Sequence, residues 1–165
     1  MHHIHPFLIV QLLVLLALAN GAPLIAKKVF GTALAYPLDN GVTLADGQPV
    51  FGRSKTIRGV ALSIGVTTLV APWAGLSPAA GLLASTMAMI GDLFSSFIKR
   101  RMKLAPGSMA LGLDQIPESL LPAIAARWAL PVTVLDAAIL AGLFFIGELA
   151  ASRVLFALNI RDRPY

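Results

Sequence analysis

The side chains of this chain that could carry chemistry concentrate between positions 88 and 115. Two acids, Asp92 and Asp114, stand at the ends of apolar segments and flank a basic cluster at positions 99–103. A carboxylate at the end of an apolar segment is costly, so a polar ligand explains it better than packing does. Hard divalent cations such as Mg²⁺ bind one or two carboxylates and complete their coordination with water and phosphate oxygens. The pattern therefore indicates a site for a metal and for phosphates.

A second interpretation of the same residues is purely structural. Each acid could cap a helix or pair with a loop lysine, and Asp114 directly precedes a predicted helix, where an N-cap is expected. Arg101 and Lys103 could extend toward lipid headgroups, as cations at a membrane boundary commonly do. From spacing alone, both interpretations stay open.

The third apolar segment predicts one polar helix face. Its polar residues follow one another at steps of three and four, so they share a face of an α-helix. These residues are Asp92, Ser95, Ser96, Lys99 and Arg100. Such a face could present a metal ligand at one end and phosphate ligands at the other.

A second basic region, residues 52–59, lies where a long loop enters a predicted helix. The backbone N–H groups of a helix N-terminus favour anions. Lys55, together with Arg53 or Arg58, could add charge-assisted hydrogen bonds to a phosphate. The order of glycine, lysine and hydroxyl residues does not match a Walker loop, so the pattern is a weak one by itself.

Composition places these residues in an integral membrane protein. The 165-residue chain is 57% hydrophobic and 13% charged, with a mean hydropathy of +0.80, whereas soluble domains carry about a quarter charged residues. It contains no cysteine, which excludes disulfides and thiolate metal ligands. We expect a single all-α membrane-embedded domain over residues 1–165. Five apolar segments are predicted as transmembrane helices: 7–26, 57–73, 78–98, 116–130 and 132–158.

The distribution of Lys and Arg predicts the orientation. If the N-terminus is outside, every Lys and Arg except Arg127 lies at the inner face, including Arg153, Arg161 and Arg163 near the C-terminus. The positive-inside rule therefore favours N-terminus out and C-terminus in. Both polar loops then face the cytoplasm, as expected of a multi-pass plasma-membrane protein with a cytoplasmic site.

Several ordered motifs resemble one family, the CTP-dependent phosphatidate cytidylyltransferases, and most closely its small CDP-archaeol synthase branch. The motifs near the two acids are Gly91-Asp92, Ser96, Lys99-Arg100, Pro106-Gly107 and Leu113-Asp114. Those before them are Ala19-Asn20 with Pro23, Pro37-Leu38-Asp39, and Gly52-Arg53-Ser54-Lys55-Thr56 with Gly59. The resemblance covers most of the chain up to Asp114.

This resemblance implies a Mg²⁺-dependent enzyme that transfers CMP from CTP to a lipid phosphate, either an archaeal-type ether lipid phosphate or phosphatidate. Asp92 and Asp114 carry over as metal ligands. The phosphate contacts carried over are Lys55, Lys99 and Arg100. The substrate-binding positions implied with them are Asn20, Asp39, Arg53, Thr56 and Ser96. The expected partners are CTP, the lipid phosphate and membrane lipids, with no nucleic acid.

The chain departs from the family pattern directly after Asp114. A further acid usually follows the Leu-Asp pair three residues on, but Pro117 occupies that place and Glu118 comes next. The broader phosphatidate branch also has a His-Gly-Gly run where residues 108–112 stand here. An alternative function, a small membrane transporter or scaffold subunit without catalysis, would not need Mg²⁺-dependent CTP binding.

Overall fold

The computed structural model describes residues 3–159, so His2, Arg161 and Arg163 lie outside the described residues. Five α-helices follow in order: α1 Pro6–Phe30, α2 Ile57–Val70, α3 Pro78–Arg101, α4 Gln115–Ala126 and α5 Val134–Ala157. A short 3-10 helix, Ala71–Ala74, extends α2. Within the described residues there are only two isolated β-bridges and no longer strand. The predicted all-α membrane fold is confirmed.

Local sequence signals set the helix starts. Pro6 and Pro78 occupy the first turns of α1 and α3, where a missing N–H costs nothing. The Thr56 hydroxyl accepts a hydrogen bond from the backbone N–H of Gly59 and caps α2. Thr133 and Asp136 form a reciprocal capping box at the start of α5. These caps leave few unsatisfied backbone donors at membrane depth.

Among residues 3–159, four helical segments are long and apolar enough to cross a membrane, namely α1, α2 with the 3-10 helix, α3 and α5. The predicted fourth segment, 116–130, differs: α4 has 12 residues, about 18 Å of helix at 1.5 Å per residue. Residues 127–130 continue it as turns rather than helix. By contrast, α1 is longer than predicted: it ends at Phe30, four residues after its predicted end at position 26.

Contacts at the two ends of the bundle fix how the helices run. At one end, the backbone N–H of His5 donates to Asp136 over 2.9 Å. At the other end, Lys28 Nζ donates to the carbonyl of Asn159 over 2.8 Å. Because α1 and α5 are therefore parallel, α4 and the turns after it must connect the second end back to the first. The chain thus passes between the two ends five times.

The packed core surrounds α1, which contacts all four other helices. Leu12, Leu15, Leu16 and Ala19 are almost completely buried along it. By contrast, large apolar side chains on the outside of the bundle are exposed, among them Phe7, Trp73, Trp128 and Ile146. An apolar exterior of this kind is what a lipid environment permits.

Candidate active site

At the end of the bundle that carries Lys28 and Asn159, two loops and two helices, α3 and α5, line a cavity of about 120 Å³. It contains acids, cations and hydroxyls together. Its lining residues are Ser54, Lys55, Asp92, Ser96, Lys99, Arg100, Gly107, Ser108, Met109, Asp114 and Glu148. Both basic regions identified in the sequence and both predicted metal ligands therefore meet at one place.

The first pair in the cavity joins the long loop to α3. Lys55 Nζ lies 2.5 Å from the carboxylate oxygens of Asp92. Lys55 directly precedes the residue that caps α2, so its backbone is fixed at a helix start. Burial alone would lower the pKa of Lys55, but the charges of Asp92 and Glu118 outweigh that effect and raise it above its usual range. Lys55 is therefore a cation at neutral pH.

The second pair joins α3 to the loop before α4. Lys99 Nζ lies 2.6 Å from Asp114 Oδ1 and donates to the carbonyl of Ser108 over 2.9 Å. The other carboxylate oxygen of Asp114 accepts from the backbone N–H of Ala110. Asp114 occupies the N-cap position of α4, as the structural interpretation expected, but its side chain makes no capping bond there. The other structural alternative, in which an acid pairs with a loop lysine, is confirmed for Asp92.

Arg100 adds a third cation and is only 1% exposed. Its Nη2 donates to the carbonyl of Ala105 over 3.0 Å. Its Nε and Nη1 make no hydrogen bond to any residue that the structure describes. Buried guanidinium donors normally find partners, and Arg100 lines a cavity that two other cations also line. The arrangement suits a phosphate, which accepts several charge-assisted hydrogen bonds.

Four helices contribute polar residues at the inner wall of the cavity. Asp92 of α3 and Glu148 of α5 line it, and Glu118 of α4 and Asn20 of α1 lie behind them. Asn20 Nδ2 donates to Glu118 Oε2 over 2.8 Å. The Glu118 carboxyl group lies close enough to the carboxyl groups of Asp92 and Glu148 to interact electrostatically with both. A polar layer inside a bundle of apolar helices indicates a functional site rather than packing.

The close approach of α3 and α4 depends on Gly91. A Cβ at this position would lie 2.4 Å from the carbonyl oxygen of Pro117 and 2.7 Å from the backbone nitrogen of Glu118. Only a glycine lets the two backbones meet at this distance. As a result, Glu118 lies beside Asp92. In the family pattern the corresponding acid stands one residue earlier, at the position that Pro117 occupies here.

Comparisons with known proteins agree with this geometry. Residues 78–165 match the CarS-like CDP-archaeol synthase family. A CDP-archaeol synthase of Saccharolobus islandicus is 34% identical over 158 residues, which is 90% of this chain and 89% of the relative. The chain belongs to the CDP-archaeol synthase family. The resemblance seen in the sequence motifs is therefore confirmed.

Two further members of this family align over a shorter region. The CDP-archaeol synthases of Hyperthermus butylicus and Pyrococcus furiosus are 44% and 40% identical to this chain. Each alignment covers 59% of this chain, and it covers 59% and 60% of the respective relatives. The chain thus spans about three-fifths of the length of these two relatives.

A solved structure described as an intramembrane enzyme for archaeal membrane lipids biosynthesis has the same fold. It superposes with a TM-score of 0.68 at 28% sequence identity, covering 84% of this chain and 90% of that structure. Together with the four long apolar helices, this makes the chain a multi-pass membrane protein.

Four substrate-binding residues predicted from the family motifs lie outside the cavity lining. Thr56 caps α2, Asn20 reaches Asp92 only through Glu118, and Arg53 is exposed in the loop. Asp39 accepts from the backbone N–H groups of Gly41, Phe51 and Gly52. Partial burial would raise the pKa of Asp39, but these three donors outweigh it and lower the pKa below its usual range. A direct substrate contact for these four residues stays a prediction.

Conversely, five cavity residues were not predicted: Ser54, Gly107, Ser108, Met109 and Glu148. Glu148 carried a signal, since an acid inside an apolar segment is costly. Ser54 and Gly107 belong to the family motifs quoted from the sequence, whereas nothing in the residue types of Ser108 and Met109 marks them as site residues.

The residues present are compatible with Mg²⁺. No group of three or more His, Cys, Asp or Glu suited to a metal exists among the described residues, so a metal cage made only of protein ligands is not expected there. Mg²⁺, however, is commonly bound through one or two carboxylates plus water and substrate phosphates. Asp92 and Asp114 line the same cavity as Lys55, Lys99 and Arg100, whose side chains can bind phosphate. The cavity can therefore supply the two carboxylates and hold the substrate phosphates that a Mg²⁺ site uses.

Proposed function

We propose that this protein transfers CMP from CTP to a lipid phosphate, forming a CDP-lipid and pyrophosphate. The single observation that carries the proposal is the cavity, in which two Lys–Asp pairs and the buried Arg100 converge at one end of a membrane-embedded bundle. The relatives' name, CDP-archaeol synthase, favours an archaeal-type ether lipid phosphate over an acyl phosphatidate as the acceptor.

In this reaction an oxygen of the lipid phosphate attacks the α-phosphorus of CTP. A new P–O bond forms, the bond between the α-phosphorus and the bridging oxygen breaks, and pyrophosphate leaves with the bonding electrons. A phosphate monoester is already a nucleophile, so no covalent enzyme intermediate is needed. The protein has to position the two substrates and neutralise charge, as phosphoryl-transfer sites generally do.

The chain's own cations supply that neutralisation. Lys55, Lys99 and Arg100 reach the cavity from the long loop and from α3, and Arg100 has two donors available for phosphate oxygens. Asp92 and Asp114 would hold Mg²⁺, with Glu118 supporting Asp92. When bound, Mg²⁺ would neutralise the phosphate oxygens of CTP.

The cavity also suits substrates that arrive from two phases. It lies at the loop end of the bundle, where CTP enters from water, and it extends into the helices as far as Glu148 on α5. A lipid phosphate sits at headgroup level. We further propose that this end faces the cytoplasm, because the basic residues concentrate there.

The test incubates purified protein in micelles with labelled CTP, Mg²⁺ and either an ether isoprenoid phosphate or a diacyl phosphatidate. We expect a labelled CDP-lipid and released pyrophosphate, with the ether lipid preferred. A transporter or scaffold would give neither product nor Mg²⁺-dependent CTP binding, and that outcome would refute the proposal.

A further inference from the structure

Arg101, the last residue of α3, points away from the cavity and toward the long loop. Its Nη1 donates to Asp46 Oδ1 over 2.6 Å. Its Nη2 donates to the carbonyl oxygens of Gln48 and Pro49 over 3.2 and 2.5 Å. The headgroup contact expected from sequence does not describe this residue, because its donors are directed at the protein.

The guanidinium group is held from a second side by an aromatic ring. The Cζ atom of Arg101 lies 5.2 Å from the centroid of the Phe97 ring, one helical turn earlier. The Arg101 side chain is 25% exposed and that of Asp46 is 34% exposed. A planar guanidinium can stack on a ring while donating to several oxygens, which a lysine cannot do equally well.

The segment that Arg101 binds, residues 42–50, is a closed turn. The backbone N–H of Leu44 donates to the carbonyl of Gln48, and that of Val50 donates to the carbonyl of Val42. Because Asp46, Gln48 and Pro49 all lie in this turn, Arg101 fastens the turn as a unit to the end of α3.

Hydrogen bonds continue from this turn to the catalytic lysine. After Val50, the backbone N–H groups of Phe51 and Gly52 both donate to Asp39 Oδ2 over 2.8 Å. The backbone N–H of Lys55 then donates to the carbonyl of Gly52 over 3.1 Å. The position of Lys55 therefore depends on a turn that is fixed to α3 through Arg101.

Gly52 also contacts the second loop. Its φ is +91°, and a Cβ there would lie 3.3 Å from Pro106 and 3.6 Å from the side chain of Arg100. When Arg101 holds the turn, the loop that carries Lys55 therefore packs against Pro106 and against Arg100, which lines the cavity.

We propose that Arg101 is a positioning residue for the transfer reaction: it holds the 42–50 turn against α3 so that Lys55 stays directed at Asp92 in the cavity. This inference rests on the proposed function. Ordering a long loop costs conformational entropy, and the three bonds of Arg101 offset part of that cost before CTP arrives.

The kinetic test compares Arg101→Ala with Lys103→Ala. Both remove one positive charge from the same region, but the Lys103 side chain is exposed to solvent. We expect Arg101→Ala to raise the KM for CTP by roughly tenfold with kcat within about threefold of wild type, because a smaller fraction of molecules has Lys55 in place before binding. Lys103→Ala should match wild type.

A second readout does not depend on catalysis. Hydrogen exchange at the amides of Val50, Phe51 and Gly52, measured on the full chain in micelles, should be faster in Arg101→Ala and unchanged in Lys103→Ala. If Arg101→Ala does not fold, Arg101→Lys should raise KM and speed exchange by smaller amounts. It keeps the positive charge but loses the planar guanidinium that donates to several oxygens.

Equal effects of Arg101→Ala and Lys103→Ala would overturn the inference and return Arg101 to a headgroup role. Unchanged exchange at residues 50–52 would overturn it too. A wild-type protein that makes no CDP-lipid would instead refute the proposed function, and the exchange experiment would still report whether Arg101 orders the loop.

Discussion

Each predicted metal ligand in this protein is paired with a predicted phosphate ligand. Asp92 binds Lys55 and Asp114 binds Lys99. A cation that binds the acids competes with the lysines, and a phosphate that binds the lysines competes with the acids. Metal and nucleotide binding should therefore depend on each other, since each relieves the pairing that opposes the other.

This dependence can be measured with Asp114→Asn. The change removes the charge that engages Lys99, so CTP binding in the presence of EDTA should become several-fold tighter while the gain on adding Mg²⁺ shrinks. Equilibrium CTP binding with and without Mg²⁺ provides the measurement. Asp136→Asn removes an acid at the opposite end of the bundle, where it accepts from the backbone of His5, and should leave the Mg²⁺ dependence unchanged. Weaker metal-free binding in Asp114→Asn would contradict the pairing account.

At the level of elements, the contact between α3 and α4 brings Glu118 to Asp92. Gly91→Ala would place a methyl group 2.4 Å from the Pro117 carbonyl oxygen, forcing the helices apart. We expect a stability loss of about 1–3 kcal/mol, typical of overpacking, together with loss of activity.

The matched control for this prediction is Gly147→Ala in α5, where an added Cβ meets nothing within 4 Å. Alanine is the better helix former, so this change should be neutral or slightly stabilising. Thermal unfolding in one detergent compares the two variants. Equal unfolding temperatures for Gly91→Ala and wild type would show that the two backbones are not in contact there.

Hydropathy was enough to predict the elements, but not how they pack against one another. The predicted starts of α2 and α3 agree with the structure, in which Thr56 and Ser77 cap the two helices and Pro78 lies in the first turn of α3. The sequence did not predict how short α4 is, because its apolar run continues through residues 127–130, which form turns. The Lys55–Asp92 pair could not be chosen from sequence, because only tertiary packing selects that lysine from many cations.

For the whole molecule, the central prediction still to be tested is its orientation in the membrane. The bundle ends are distinct: one carries the cavity, and the other carries the turns around Trp73 and Trp128. Both tryptophan side chains are more than 80% exposed, as expected of residues at a membrane interface.

The absence of native cysteine makes this orientation measurable without background. Lys103→Cys, at the cavity end, should react with an impermeant thiol reagent only from the cytoplasmic side. Ala129→Cys, in the turns after α4, should react only from outside. Reaction of both from the same side would contradict the five passages of the chain, and the reverse pattern would invert the proposed orientation.

The most direct test of the account is CDP-lipid formation by wild type and by Asp92→Asn, with labelled CTP, Mg²⁺ and the preferred lipid phosphate. Removing one electrostatic contact of this kind typically costs roughly a hundred- to a thousandfold in rate. We predict that loss in Asp92→Asn, with thermal unfolding showing that the variant is still folded. Near-normal turnover by a folded Asp92→Asn protein would contradict the assignment of this cavity as the active site.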